Sequence, residues 1–132
     1  MALIPENVRK LIADPAAVKV LVTSSAEGRP HAIVAGTIIS PTPETMAVGV
    51  VLMHRAAKNL AANPKAAFLI TKGMESYEIN VRFEGDLTSG PLYDGVKAEC
   101  DKLKLPLSIV KTFKVCCVCN ESAGPDAGKK IA

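Results

Sequence analysis

Tryptophan is absent from this sequence, and two Tyr and three Phe leave few planar surfaces on which nucleic-acid bases could stack. Charge of one sign is scarce too. Sixteen Lys and Arg against 13 Asp and Glu give a formal net charge of +3, and no Lys/Arg-rich run occurs. The electrostatic footprint of a nucleic-acid binder is therefore missing. No apolar run approaches the roughly 20 residues that span a bilayer. Glu6, Arg9, Lys10 and Asp14 interrupt the N-terminal positions where a signal peptide needs its apolar core. The expectation is a cytoplasmic chain without nucleic-acid or membrane partners.

Histidine is also rare: His31 and His54 are the two, and neither sits in a metal-binding motif. There is no Gly-x-Ser-x-Gly elbow and no phosphate-cradling glycine loop, so no catalytic constellation is assigned. Of Cys100, Cys116, Cys117 and Cys119, three crowd into one apolar segment, which does not look like a disulfide framework. In a strand Cys117 and Cys119 share a face, which gives two ligands where a closed zinc site takes four. The cysteines read as small hydrophobes, and no metal is expected.

What is present is an apolar fraction of 48% in 132 residues, enough for one domain with a real core. Its organising stretch runs from Met46 to Thr71. Met46 to Leu52 is β-branched and too short for a helix, so it reads as a buried strand. A turn bearing His54 and Arg55 follows, then an Ala-rich helix to Ala62 that Asn63-Pro64 stops, then a strand from Lys65. Arg55 and Lys58 are neighbours on one helix face. Two cations beside the free N–H groups of a helix start can seat a phosphate monoester; a solvated cationic face is the other reading of the same residues.

The rest falls into place around it. Pro5 and Glu6 open a short helix with Val8, Leu11 and Ile12 at helical spacing, and Asp14-Pro15 closes it. Val18–Thr23 and His31–Ser40 are strands flanking the Ser24–Pro30 turn cluster. Gly36 lies inside the second of them, where a glycine marks a bulge or a place where something flat approaches the backbone. Tyr77, Ile79, Val81 and Phe83 alternate with Glu78, Asn80, Arg82 and Glu84 in a half-exposed strand. Gly90-Pro91 introduces a helix with Leu92, Val96, Cys100 and Leu103 on one face. Phe113–Cys119 is the last strand, and residues 121–132 read as a flexible tail on a domain of residues 1–120. About six strands joined by hairpin turns, with short flanking helices, indicate an α+β chain built on a small antiparallel barrel.

The ordered set of the Val20-to-His31 hairpin, the Thr45–Val50 strand, the His54–Lys65 run and the strand ending Phe83-Glu84-Gly85-Asp86 resembles the pyridoxamine-phosphate-oxidase-like, FMN-binding split-barrel family. Small members such as the FMN-binding protein of sulfate-reducing bacteria are nearest in length and pattern. The resemblance implies a homodimer of split barrels with FMN in a groove at the dimer interface. It implies that Arg55 and Lys58 hold the phosphate beside the His54 turn, and that Asn59 supports that turn. Main-chain groups of Gly49, Val50 and Val51 would run along the flavin ring, with Gly36 and Thr37 near it. An electron-transfer or oxidoreductase role with a small-molecule or protein redox partner would follow. The same barrel carries a second reading, a non-catalytic module for a deazaflavin coenzyme or haem. Ala56 stands where relatives often place a hydroxyl, and Val34-Ala35 where some have Asn-Thr. No segment for binding pyridoxamine phosphate is recognisable, so that oxidase activity is not assigned.

Overall fold

Apolar alternation lays down the strands, and the computed structural model describes residues 2–132. In chain order the elements are α1 (Glu6–Ala13), β1 (Val18–Ser24), β2 (Pro30–Val34), β3 (Ile38–Thr42), β4 (Thr45–Val50) and α2 (His54–Ala62). They continue as β5 (Lys65–Lys72), β6 (Glu75–Leu87), α3 (Pro91–Lys102), β7 (Ile109–Asn120) and β8 (Lys129–Lys130). The α+β class and the antiparallel barrel follow expectation, with eight strands where about six are read from the pattern. Val8, Leu11 and Ile12 are the buried face of α1, and Tyr77, Ile79 and Val81 are the buried face of β6.

Seven strands lie in the order β2-β1-β5-β6-β7-β4-β3, and β8 adds to β7. The pairings are antiparallel. β2 and β3 occupy opposite edges, yet they are consecutive in the chain. The stretch His31–Ser40, expected as one strand, therefore breaks at Ala35–Thr37. A link this short holds Val34 and Ile38 within about 14 Å, so the sheet must curl until its edges nearly meet. That is a barrel with a split in its wall, and residues 35–37 bridge the split.

Inside, Phe68 and Phe113 meet edge to face with ring centres 5.1 Å apart, a favoured aromatic geometry. Both are fully buried among Leu21, Ile38, Met46 and Ile79. A second cluster of Ala47, Val96, Cys100 and Val110 seats α3 on the outside of β4 and β7. Among the described residues no helix is long and apolar enough to cross a membrane.

The C-terminal segment, expected to be a flexible tail, runs back along β7. Cys119 pairs with Lys130 and Asn120 with Lys129. Val118 N–H donates to Ala132 O at 3.0 Å, and Ile131 N–H to Val118 O at 2.8 Å. The reason lies in strand lengths. β4 pairs only with residues 109–114 of β7, which leaves the far half of that edge open for the C-terminus. Truncation after Ala123 should therefore lower stability by about 1 kcal/mol, or about 4 °C in thermal midpoint. An unchanged unfolding curve would return residues 124–132 to a mobile tail.

Candidate functional site

The bridge across the split floors an open cleft of about 570 Å³. Ile33 to Thr37 and Ile39 form one wall, Val51 and Met53 the end, and the α3 residues Leu92, Gly95, Val96 and Cys100 the opposite wall. The lining is predominantly apolar, and among the described residues Glu99 is its one charged side chain. Burial, followed by the neighbouring carboxylates of Asp101 and Glu99, pushes the Cys100 thiol above its ordinary value. A neutral thiol at the wall suits an apolar occupant.

Gly36, Thr37 and Val51 all face the cleft. A Cβ at Gly36 would meet nothing within 4 Å, so this glycine leaves open space against the backbone. Among the described residues the N–H groups of Gly36, Thr37 and Val51 find no main-chain acceptor. They are donors available to an occupant. Thr37 spends its hydroxyl differently, donating from Oγ1 to Gly49 O at 2.6 Å.

Gly49 and Val50 are occupied within the chain. Gly49 N–H donates to Thr37 O at 3.3 Å, and Val50 O accepts from the Ser108 N–H at 3.0 Å. A Cβ at Gly49 would come within 2.9 Å of both Val96 Cγ1 and Leu107 Cδ1. This glycine is what allows α3 to close on β4. Neither residue lines the cleft.

The cleft ends where α2 begins. Met53, at the N-cap, is one of its lining residues and supplies no side-chain cap. The N–H groups of the first helical turn lack intrahelical acceptors by construction. Leu52, just before, has φ +57° and is 71% exposed, so an apolar side chain stands in solvent on a strained backbone. His54, Arg55 and Lys58 are exposed on α2, with His54 and Arg55 in its first turn rather than in a preceding loop. Among the described residues neither Arg55 nor Lys58 enters an ion pair. Ala56 is buried in the core, 2% exposed.

Asn59 faces the other way. It is buried, and its Nδ2 donates to Thr23 Oγ1 at 3.0 Å. Thr23 is 1% exposed. The pair fastens α2 to β1 and sets the angle at which the helix start meets the cleft. Thus Gly36, Thr37 and Val51 line the cleft. His54, Arg55 and Lys58 stand exposed on α2, just after the lining residue Met53, and are not themselves among the lining residues. Gly49, Val50 and Asn59 belong to the framework. The α3 wall was missed. Its signal was the stripe Leu92, Val96, Cys100 and Leu103 on one helix face, all four of which line the cleft, with Leu103 71% exposed.

The family model described as pyridoxamine 5'-phosphate oxidase matches residues 4–92. The chain belongs to this pyridoxamine 5'-phosphate oxidase family. The match spans the bridge, the cleft end and α2. Searching curated proteins by sequence gives no match. Solved structures with the same fold include an FMN-binding protein from Syntrophomonas wolfei, 19% identical with a TM-score of 0.80, covering 90% of this chain and 86% of that one. HupZ from Group A Streptococcus is 18% identical with a TM-score of 0.79, covering 96% and 100%. The haem storage protein HutZ from Vibrio cholerae is 18% identical with a TM-score of 0.60, covering 87% and 89%. At these identities the likeness is one of fold.

In this family member the Thr23–Asn59 bond should behave as framework. Asn59→Ala would strand the Thr23 hydroxyl in the core and cost about 1–3 kcal/mol in denaturant unfolding. Combining Asn59→Leu with Thr23→Val should recover most of that loss. If the double variant is as unstable as the sum of the single changes, the two side chains are not coupled.

Proposed function

We propose that this chain is an FMN-binding flavoprotein that passes electrons to or from a small-molecule or protein partner. One juxtaposition carries the reading: a mainly apolar cleft, with backbone donors that are unpaired among the described residues, ends at an uncapped helix start. That helix bears two cations with no ion-pair partner among the described residues. A flat, largely apolar ring system with a phosphate at one end matches that arrangement in shape and charge. When bound, FMN would supply the electron-carrying ring, and the protein would supply binding, orientation and shelter from water. The amides of Gly36, Thr37 and Val51 would hold the ring edge. Arg55, Lys58 and the first-turn N–H groups of α2 would hold the phosphate, with His54 beside them. Gly49, Val50 and Asn59 would serve indirectly by fixing α3, β4 and α2. The fold shared with an FMN-binding protein supports this reading.

The cleft is open, and Val34, Leu52 and Leu103 stand exposed at or beside its lining. A second copy of the chain covering that rim would complete the site as a homodimer, with the cofactor at the interface. The alternative is a binding module for a deazaflavin coenzyme, which the apolar Val34-Ala35 wall favours because such walls offer few side-chain hydrogen bonds. Haem is less well served: among the described residues no histidine lines the cleft, and Met53 and Cys100 are the sulfur-bearing residues that do.

Absorbance of the freshly purified protein, with chromatography of any released chromophore, tests the cofactor. A yellow protein releasing FMN is expected, and tight deazaflavin binding without FMN affinity would favour the alternative. Arg55→Ala and Lys58→Ala should each weaken FMN retention by about 1–3 kcal/mol. Wild-type retention in both would remove these residues from the phosphate site. Sedimentation at micromolar concentration should give a dimer, and a monomer would count against the interfacial site.

A further inference from the structure

Far along β7 from the α3 contact at Val110, the strand carries one residue more than its neighbour. Val81 pairs with Val115 and Asn80 with Cys117, so Cys116 is the extra residue of a β-bulge. Val115 and Val118 remain in the core, while Cys116 is exposed and Cys117 and Cys119 are half-buried. Glu78 of β6 is the register partner of Cys119, which puts both side chains on one face. Glu121 follows in the next loop, where its N–H donates to Ser76 O at 2.9 Å.

These positions converge. A carboxylate oxygen of Glu78, the Cys119 sulfur and a carboxylate oxygen of Glu121 lie within 4.8 Å of one another, and none of the three residues is fully exposed. Asn80 Nδ2 donates to Glu78 Oε1 at 3.0 Å and approaches Cys117 Sγ at 3.6 Å, which ties a second thiol to the group. Lys130 lies opposite Cys119 in the β7–β8 ladder. Among the described residues, neither it nor any other base pairs with Glu78 or Glu121. Two carboxylates and a thiol therefore share a small volume, and among the described residues no cation is in ion-pair contact with either carboxylate. The two-ligand objection to the cysteine segment falls, because β6 and the loop after β7 provide oxygen ligands that the strand alone lacks.

We propose that Glu78, Cys119 and Glu121, with Cys117 as fourth ligand, bind a borderline-soft divalent cation of the zinc type. Sulfur disfavours magnesium and calcium, and the paired carboxylates disfavour a purely soft monovalent ion. Zinc accepts both donor types in a four-coordinate shell. Each thiol that coordinates releases its proton to solvent, and the carboxylates bind as they stand. The ion would clasp the end of the β6–β7 ladder to the loop that leads into β8. Asn80 acts as a positioning residue that orients Glu78 and Cys117. The proposal is independent of what fills the cleft.

The test is a titration of Zn²⁺ into reduced, metal-stripped full-length protein in competition with a chromophoric chelator. One Zn²⁺ per chain is expected, with affinity reduced at least about tenfold by Cys119→Ser, by Glu78→Gln and by Asn80→Ala. Cys116→Ser should bind as wild type. Glu121→Gln, in a loop outside the ladder, gives the same reading if a strand substitution unfolds the chain. Zn²⁺ should also raise the thermal midpoint of the wild type and leave that of Cys119→Ser unmoved. Absence of stoichiometric binding, or wild-type affinity in Cys119→Ser and Glu121→Gln, would overturn the proposal, as would a dependence on Cys116 instead.

Discussion

Everything in this molecule hangs on the short link between β2 and β3. Three residues, Ala35, Gly36 and Thr37, carry the chain from one edge strand of the sheet to the other. A flat or gently twisted seven-strand sheet would separate those edges by several strand spacings of about 4.8 Å, beyond what so short a link can span. The link therefore forces curvature. Ala35 N–H still bonds Lys19 O at 3.0 Å, but among the described residues the N–H groups of Gly36 and Thr37 find no main-chain acceptor. The same constraint that shapes the fold produces the cleft.

α3 and α2 then finish what the bridge begins. α3 closes on β4 because position 49 has no Cβ, and Val96 and Leu107 occupy the room this leaves. α2 is held to β1 through Asn59 and Thr23, a polar pair satisfied in the core. A buried polar pair of this kind stabilises modestly but specifies orientation, because no other placement satisfies both groups. It fixes α2, whose N-cap Met53 lines the end of the cleft. Among the described residues Arg55 and Lys58 on that helix enter no ion pair.

The sequence was most legible where local rules act alone. Pro5 and Asp14-Pro15 bracket α1, Asn63-Pro64 stops α2, and the alternation from Tyr77 sets the inner face of β6. Gly36 and the Arg55–Lys58 pair could be picked out because glycine in a strand and cations at a helix start each have a direct physical reading. The break at Ala35–Thr37 could not, because Ile33 to Ile39 is apolar enough for one strand and only the global strand order interrupts it. The roles of Gly49 and Val50 depended on α3 and Ser108, far along the chain. β8 was hidden for a similar reason: Lys129 and Lys130 show no strand pattern and pair only because β4 leaves part of β7 uncovered.

The ladder between β4 and β7 has a kinetic consequence. β1–β2, β3–β4 and β5–β6 are hairpins between neighbours in sequence, but β4 meets β7 through pairs such as Met46 and Phe113. Closing so long a loop is entropically slow, so we expect the hairpins to form early and the barrel to zip shut last. Because α3 and the bridge converge only after that closure, the cleft comes into being at the final step of folding. Amide exchange in β4 should then track the global unfolding transition, and exchange by smaller local openings would contradict this order. An occupant of the cleft would accordingly slow the unravelling of the whole chain, acting as a clamp on time as much as on structure.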